Sequence, residues 1–294
     1  MNPVIMHINY GEVSFDSFGG NTVDNICRMA ADLGFDGIEF RAAPPKECKE
    51  MPFNDFMDQI AEGTKKYGIR MPLFSFVLSR SASADKQTRE EEAKTALEKV
   101  QRIQDLFGTT LFNTCGATIL SADPAAPQTA MECHGSAAAT QDQWAWTVET
   151  YQMIAKGLEK LGARFAFETH MKYLHDTPEV TKKLVDMIDS PSIGINMDYG
   201  NTIYFPGCPS VEEAIDIYGD KLFYTHLKNS IAKPGGGRTP TALSEGEIDH
   251  RRYLKKLKSV GFEGPIGIEA PRPGDRYWFA QQDLAYFKSV RSSL

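Results

Sequence analysis

Long apolar runs are missing from this 294-residue chain. None approaches the roughly 18 residues that a membrane-spanning helix requires, so no membrane insertion is expected. Cysteine is sparse: Cys27, Cys48, Cys115, Cys133 and Cys208 are scattered and form no CxxC pair. That argues against a disulfide frame or a zinc ribbon and fits reduced thiols in the cytosol. Positive charge is outnumbered, with 32 Lys and Arg against 39 Asp and Glu and a formal net charge of −7. Broad binding to a phosphate backbone loses its electrostatic basis, and no nucleic-acid partner is expected. Low-complexity tracts, a dividing linker and a 20 to 50 residue repeat are also missing, so residues 1–294 read as one domain. The opening MNPVIMHINYG carries no basic segment followed by an apolar leader core. It is read as a first strand of a cytoplasmic chain.

What is present is a recurring punctuation. DLGFDGIEF, KYGIRMPLF, LFGTTLFNT, KLGARFAFE, YGDKLFYTH and VGFEGPIGIE each give a helix end, a glycine and a short apolar strand. Glycine after a helix accepts the left-handed conformation that closes the last turn, and an apolar run buried on both faces suits a parallel strand. Helix starts are marked too. Ser210 with Glu213 makes a capping box, and Thr177 before Pro178 places proline in a first turn. With an opening strand over Val4 to Tyr10 and another in SIGINMDYG, the strands number eight. Eight strands alternating with helices over this length predict a (β/α)8 TIM barrel. The loops at 121–141 and 231–247 both follow strands and are placed at the catalytic face, as a rim or lid or as plain solvated crossings.

Strand C-terminal ends converge on the active site of such a barrel. Four late strands end alike: Glu168 closes FAFE, Asp198 closes INMD, His226 closes FYTH and Glu269 closes IGIE. The neighbours are spaced by roughly one strand–helix unit, about 30 residues. Three carboxylates and one imidazole form a hard ligand set suited to one divalent ion, manganese before magnesium or cobalt, with positions left open for substrate oxygens.

The segments FETH, NMDYGNT, THLKNS and GIEAPR, with GFDGIEFR on the second strand, resemble the sugar-phosphate isomerase/epimerase superfamily of xylose-isomerase-like barrels across the whole chain. Its members include ketose 3-epimerases, hydroxypyruvate isomerases and inosose dehydratases. The resemblance implies a metal held by Glu168, Asp198, His226 and Glu269. It also implies that Glu168 and Glu269 face opposite sides of a sugar, one removing and the other returning the proton beside the carbonyl. One departure stands out: some relatives carry a histidine three residues after the aspartate ligand, where this chain has Asn201, an amide that cannot titrate near pH 7. Related apurinic endonucleases need many more histidines for three zinc ions than the six present.

Other polar residues have two readings each. His170, two beyond Glu168, shares its strand face if the extension persists, and either contacts substrate or supports the metal. Lys228, two beyond His226, meets a substrate oxygen or pairs with a barrel carboxylate. Arg272 and Arg276 either bind substrate hydroxyls or lie exposed after the last strand, and Glu39 and Arg41 carry the same ambiguity. His7 reads as a satisfied barrel histidine and His175 as a loop residue. His134 is either a lid residue reaching substrate or surface. No glycine-rich phosphate cradle follows the seventh or eighth strand, and the Gly235–Gly237 run lies in a longer loop. The expected activity is therefore a metal-dependent isomerase or 3-epimerase of an unphosphorylated ketose or polyol ketone, possible as a homo-oligomer. The alternative is a lyase on the same scaffold, an inosose-type dehydratase or a cleaver of oxidised glycosides.

Overall fold

The computed structural model describes residues 2–8, 22–45, 50–234, 236–269 and 272–294. Tyr10, Cys48 and Gly235 lie outside the described residues.

Strands β1 (Val4–His7), β2 (Gly37–Arg41), β3 (Met71–Val77), β4 (Leu111–Cys115), β5 (Arg164–Glu168), β6 (Ile193–Asp198), β7 (Leu222–Leu227) and β10 (Ile266–Ile268) close into a parallel barrel. Its order around the ring is β1-β10-β7-β6-β5-β4-β3-β2. Helices α1 (Thr22–Leu33), α2 (Phe53–Tyr67), α3 (Lys86–Phe107), α4 (Gln141–Leu161), α5 (Pro178–Ile188), α7 (Val211–Tyr218), α8 (His250–Ser259) and α9 (Arg276–Ser292) alternate with them, and a single turn, α6 (Tyr199–Thr202), follows β6. The expected (β/α)8 barrel is therefore the architecture.

Alternation along each strand divides the core in two. Inward-facing Ile5, Leu73, Leu111, Ala166 and Tyr224 pack as one cluster inside the barrel. Outward-facing Phe112, Phe165 and Phe167 join the larger layer beneath the helices, each contributing about 1.5–3 kcal/mol by burial. The same parity carries the inward register upward to Glu39, Asn113, Glu168, Asp198 and His226.

The helix punctuation follows the sequence pattern, with two instructive departures. Gly68, Gly108 and Gly162 take the left-handed conformation at the ends of α2, α3 and α4. Gly219 has φ 55 with ψ −130, outside that region. After α5 the left-handed position is filled by Asp189, at φ 54, which is why no glycine announced that helix end. The Ser210–Glu213 capping box is present, and Pro178 occupies the first turn of α5.

The loop expected at 231–247 contains structure of its own. Strands β8 (Asn229–Ala232) and β9 (Arg238–Thr241) pair antiparallel outside the barrel. This insertion explains why the interval from His226 to Glu269 exceeds one strand–helix unit. The loop at 121–141 is likewise tied down. Ile119 N donates to Lys172 O (2.8 Å), and Ser136 N donates to Asp176 Oδ2 (2.8 Å), both in the β5–α5 connection.

Candidate metal centre and active site

Strands β5, β6, β7 and β10 are consecutive around the ring, so their C-terminal ends form one continuous arc. Glu168 and Asp198 are the last residues of their strands, and His226 is the last but one of β7. Glu269 directly follows β10, held in line by its N–H to Leu227 O at 2.9 Å. One ligand atom from each of the four lies within 4.8 Å of the others, and all four residues are buried. His226 Nδ1 stands 3.2 Å from Glu269 Oε2, 3.7 Å from Asp198 Oδ2 and 3.8 Å from Glu168 Oε2. Ligand atoms about 2.1 Å from one cation are at most ~4.2 Å apart, so a contraction of about half an ångström closes the set around a single ion. Asp198 Oδ2 is buried, and its close neighbour is already a cation, Lys228 Nζ at 2.8 Å. It remains an acceptor suited to a cation.

Small residues make the crowding feasible. A Cβ on Gly267 of β10 would come 2.4 Å from the Tyr224 hydroxyl and 2.7 Å from His226 Cδ2, and one on Gly200 would come 2.3 Å from Lys228 Cγ.

A polar layer beneath the arc orients it. Glu39, fully buried on β2, accepts hydrogen bonds from Tyr224 Oη (2.7 Å), His226 Nε2 (2.7 Å) and Asn113 Nδ2 (2.9 Å). The Nε2 bond leaves Nδ1 as the imidazole atom that faces the three carboxylates. Asn113 Nδ2 also donates to Glu168 Oε2 at 2.8 Å, linking the supporting layer to the candidate ligands. Burial pushes the Glu39 carboxyl up, but the charge and hydrogen bond of His226 reverse this and hold it at about 2. Burial pulls His226 down, yet Glu39 and the bonds to Asp198 and Glu269 raise it well above the usual imidazole range. For Glu269, burial is outweighed by Lys228, His7 and His226, and its carboxyl stays well below the ordinary value.

The remaining predicted residues divide. Lys228 Nζ lies 2.8 Å from Asp198 Oδ2 and 3.6 Å from Glu269 Oε2, so it pairs with barrel carboxylates at the edge of the cluster. Asn201 Nδ2 donates to Thr169 O (3.0 Å) and reaches Glu168 Oε1 (3.4 Å), steadying the glutamate rather than pointing free. His170 does not continue the strand, which ends at Glu168. Its Nδ1 bonds Met171 O at 2.8 Å, and its ring meets Tyr173 edge-on. Arg272 is engaged with α9, where its guanidinium pairs with Asp283 (2.5 Å) over the Phe279 ring. Arg276 opens α9. His7 is buried against Glu39 and the edge of the His226 ring. His134 is neither lid nor surface: it is buried, accepts from Ser121 N at Nδ1 (3.0 Å) and bonds Pro127 O through Nε2 (3.1 Å), stapling its own loop.

Residue-type reasoning missed Asn113, Tyr224 and the role of His175. The first two share the inward parity of β4 and β7, a signal available in the alternation. His175 is a fully buried brace: Nδ1 bonds Glu168 O (2.5 Å), and Nε2 accepts from Gly116 N (3.0 Å). It fixes the backbone that presents Glu168.

Burial depresses His175 to about 3 and His250 to about 4 from 6.5, whereas burial raises Asp176 from 3.8 to about 6. A depressed histidine favours the fold fully above pH 6.5, and this advantage is lost as the pH falls toward the folded value. The raised Asp176 acts in the opposite sense between 6 and 3.8. Two histidines against one aspartate leave a net loss of about 1 kcal/mol per pH unit from 6 to 4. Denaturant unfolding at stepped pH measures this slope, and His250→Gln is expected to flatten it.

A profile of xylose isomerase-like TIM barrels matches residues 27–290. The chain belongs to that family. Among solved structures, D-allulose 3-epimerase from Methylomonas sp. superposes with a TM-score of 0.73 at 16% identity over 98% of both chains. A xylose isomerase-like protein from Mycobacterium smegmatis in complex with magnesium gives 0.74 at 19% identity over 100% of this chain and 97% of that one. Inosose dehydratase from Clostridium perfringens strain 13 is 27% identical over 146 residues, covering 42% of this chain and 48% of that enzyme. The 3-dehydroshikimate dehydratase of Pseudomonas putida is 24% identical over 144 residues, covering 47% of this chain and 22% of that enzyme. The match thus spans less than half the length of either curated relative. Among the described residues, no helix of this family member is long and apolar enough to cross a membrane.

Proposed function

We propose that the protein is a divalent-metal-dependent sugar isomerase or epimerase acting on an unphosphorylated ketose or related polyol ketone, with proton transfer through an enediolate. The observation that carries this reading is the placement of the two glutamates. Glu168 on β5 and Glu269 after β10 stand at opposite ends of the arc, with Asp198 and His226 between them. Carboxylates so placed address opposite faces of a substrate seated between them, one as base and the other as acid. A divalent ion, manganese by preference, would polarise the carbonyl of a chelated sugar. Asn113, Asn201 and His175 keep Glu168 in position for its part. Lys228, charged and adjacent to Asp198 and Glu269, stands where it can bind a substrate oxygen.

Lys228 also favours a second reading, a lyase in which an ammonium protonates a departing group, and the two dehydratases among the relatives accord with it. One experiment separates the two. The manganese-supplemented protein is incubated in deuterated water with ketoses, inososes and 3-keto-glycosides, free and phosphorylated, and followed by NMR. The expected result is deuterium at the carbon beside the carbonyl of an intact free sugar. Loss of water or of an aglycone would install the lyase, and exchange confined to phosphorylated sugars would overturn the substrate assignment.

A further inference from the structure

A cavity of about 310 Å³ lies between the ends of β2 and β3 and helix α3. Three cations line it, Arg41, Arg80 and Lys99, with Glu92 as its carboxylate. Glu92 is already committed: its two oxygens accept from Arg80 N at 3.0 and 3.1 Å, and Oε1 stands 3.7 Å from the Arg80 guanidinium Nε. Lys99 is the anomaly. Its amine is part-buried, with Ala42 O at a long 3.4 Å and the Phe53 ring at 5.0 Å as its contacts. Among the described residues no carboxylate pairs with it. Burial alone moves its pKa, downward, and no neighbouring acid opposes this. Withdrawing an ammonium from water is costly unless a counter-charge compensates, and among the described residues Lys99 has no paired carboxylate to supply one.

Position gives the cavity a use. Arg41 shares the inward parity of Glu39 and lies two residues further along β2, about 7 Å toward the barrel mouth. The cavity therefore begins above the polar layer that supports the candidate metal ligands and extends outward to Lys99.

We propose that this cavity is an anion site, in which Lys99 and Arg80, with Arg41 at its inner edge, receive the carboxylate or phosphate group of a ligand seated at the barrel mouth. Assigning that ligand as the substrate rests on the function proposed above, whereas the anion site itself does not. Ser75 and Ser79 add hydroxyls to the lining, and a guanidinium offers a planar fork to either oxyanion.

The test is calorimetric titration of the metal-free protein with sodium phosphate and, separately, sodium malonate, at ionic strength held constant with sodium chloride. Saturable binding of one or both is expected in the wild type, weakened about tenfold or more in Lys99→Met and largely retained in Lys99→Arg. Arg80→Gln provides a second variant should Lys99→Met unfold. Preference for malonate identifies a carboxylate ligand. Preference for phosphate keeps the site and overturns the expectation of an unphosphorylated ligand. Absence of saturable binding by both anions, or binding that Lys99→Met leaves unchanged, overturns the site. Because no turnover is read, either result leaves the isomerase reading to its own test.

Discussion

Glu168→Gln and Glu269→Gln are each expected to lower turnover by about three orders of magnitude or more while detectable metal remains bound. Glutamine keeps the length of the side chain and one oxygen for weak coordination, but it offers no basic lone pair of carboxylate strength. At position 168 the amide can accept from only one of its two donor neighbours, so some loss of placement accompanies the loss of basicity. Asn113 and Asn201 reach the two oxygens of Glu168, and the backbone of Glu269 is pinned to Leu227. Steady-state rates paired with metal analysis of the same samples measure both quantities. If the proton moves between two carboxylates, exchange of substrate hydrogen with deuterated water should fall with turnover in at least one variant. Near-normal turnover at full metal occupancy in either variant would remove the two-carboxylate mechanism and move the base to another residue.

Metal affinity should respond to different positions. Asp198→Ala and His226→Ala each delete a candidate ligand, and calorimetry with manganese should show affinity lost by orders of magnitude, with partial recovery of rate at high metal concentration. Glu39→Gln, which touches no metal in this scheme, is expected to weaken binding by about 10–100-fold through loss of the charge that orients the imidazole. The pH dependence has a definite sign. His226 is held protonated by the carboxylates around it, and an incoming ion must displace the Nδ1 proton. Affinity should therefore rise with pH while His226 remains charged in the metal-free protein, with about one proton released for each ion bound. Calorimetry in buffers of different ionisation enthalpy counts that proton. Glu39→Gln binding manganese as tightly as the wild type would show that the carboxylate is structural.

The barrel and its arc of candidate ligands were legible because both depend on local pattern. Glycine after each helix and apolar runs of strand length mark the repeating unit, and fold geometry sends the final polar residue of a strand to the mouth. Asp189 shows the limit of that logic, since an aspartate occupies a left-handed position that composition assigns to glycine. The hairpin of β8 and β9 was hidden within a glycine- and proline-rich stretch, because such residues mark turns without stating whether paired strands flank them. The burial of His134 and the bracing role of His175 were hidden for a related reason. Each lies in a loop, and burial of a loop imidazole is decided by distant backbone, Ser121 and Pro127 in one case and Glu168 and Gly116 in the other. Arg272 looked available for substrate because its partner, Asp283, belongs to a helix later in the chain.

Gly267 restricts the order in which this site can change over evolutionary time. A methyl group there would collide with the Tyr224 hydroxyl and the His226 ring, so alanine requires position 224 to lose its hydroxyl or its ring and the His226 imidazole to shift as well. The change at position 224 would cost Glu39 one of its donors before any benefit of the alanine is available. The two positions are epistatic although neither is among the candidate ligands. A lineage drifting at either one would meet a fitness valley rather than a neutral path.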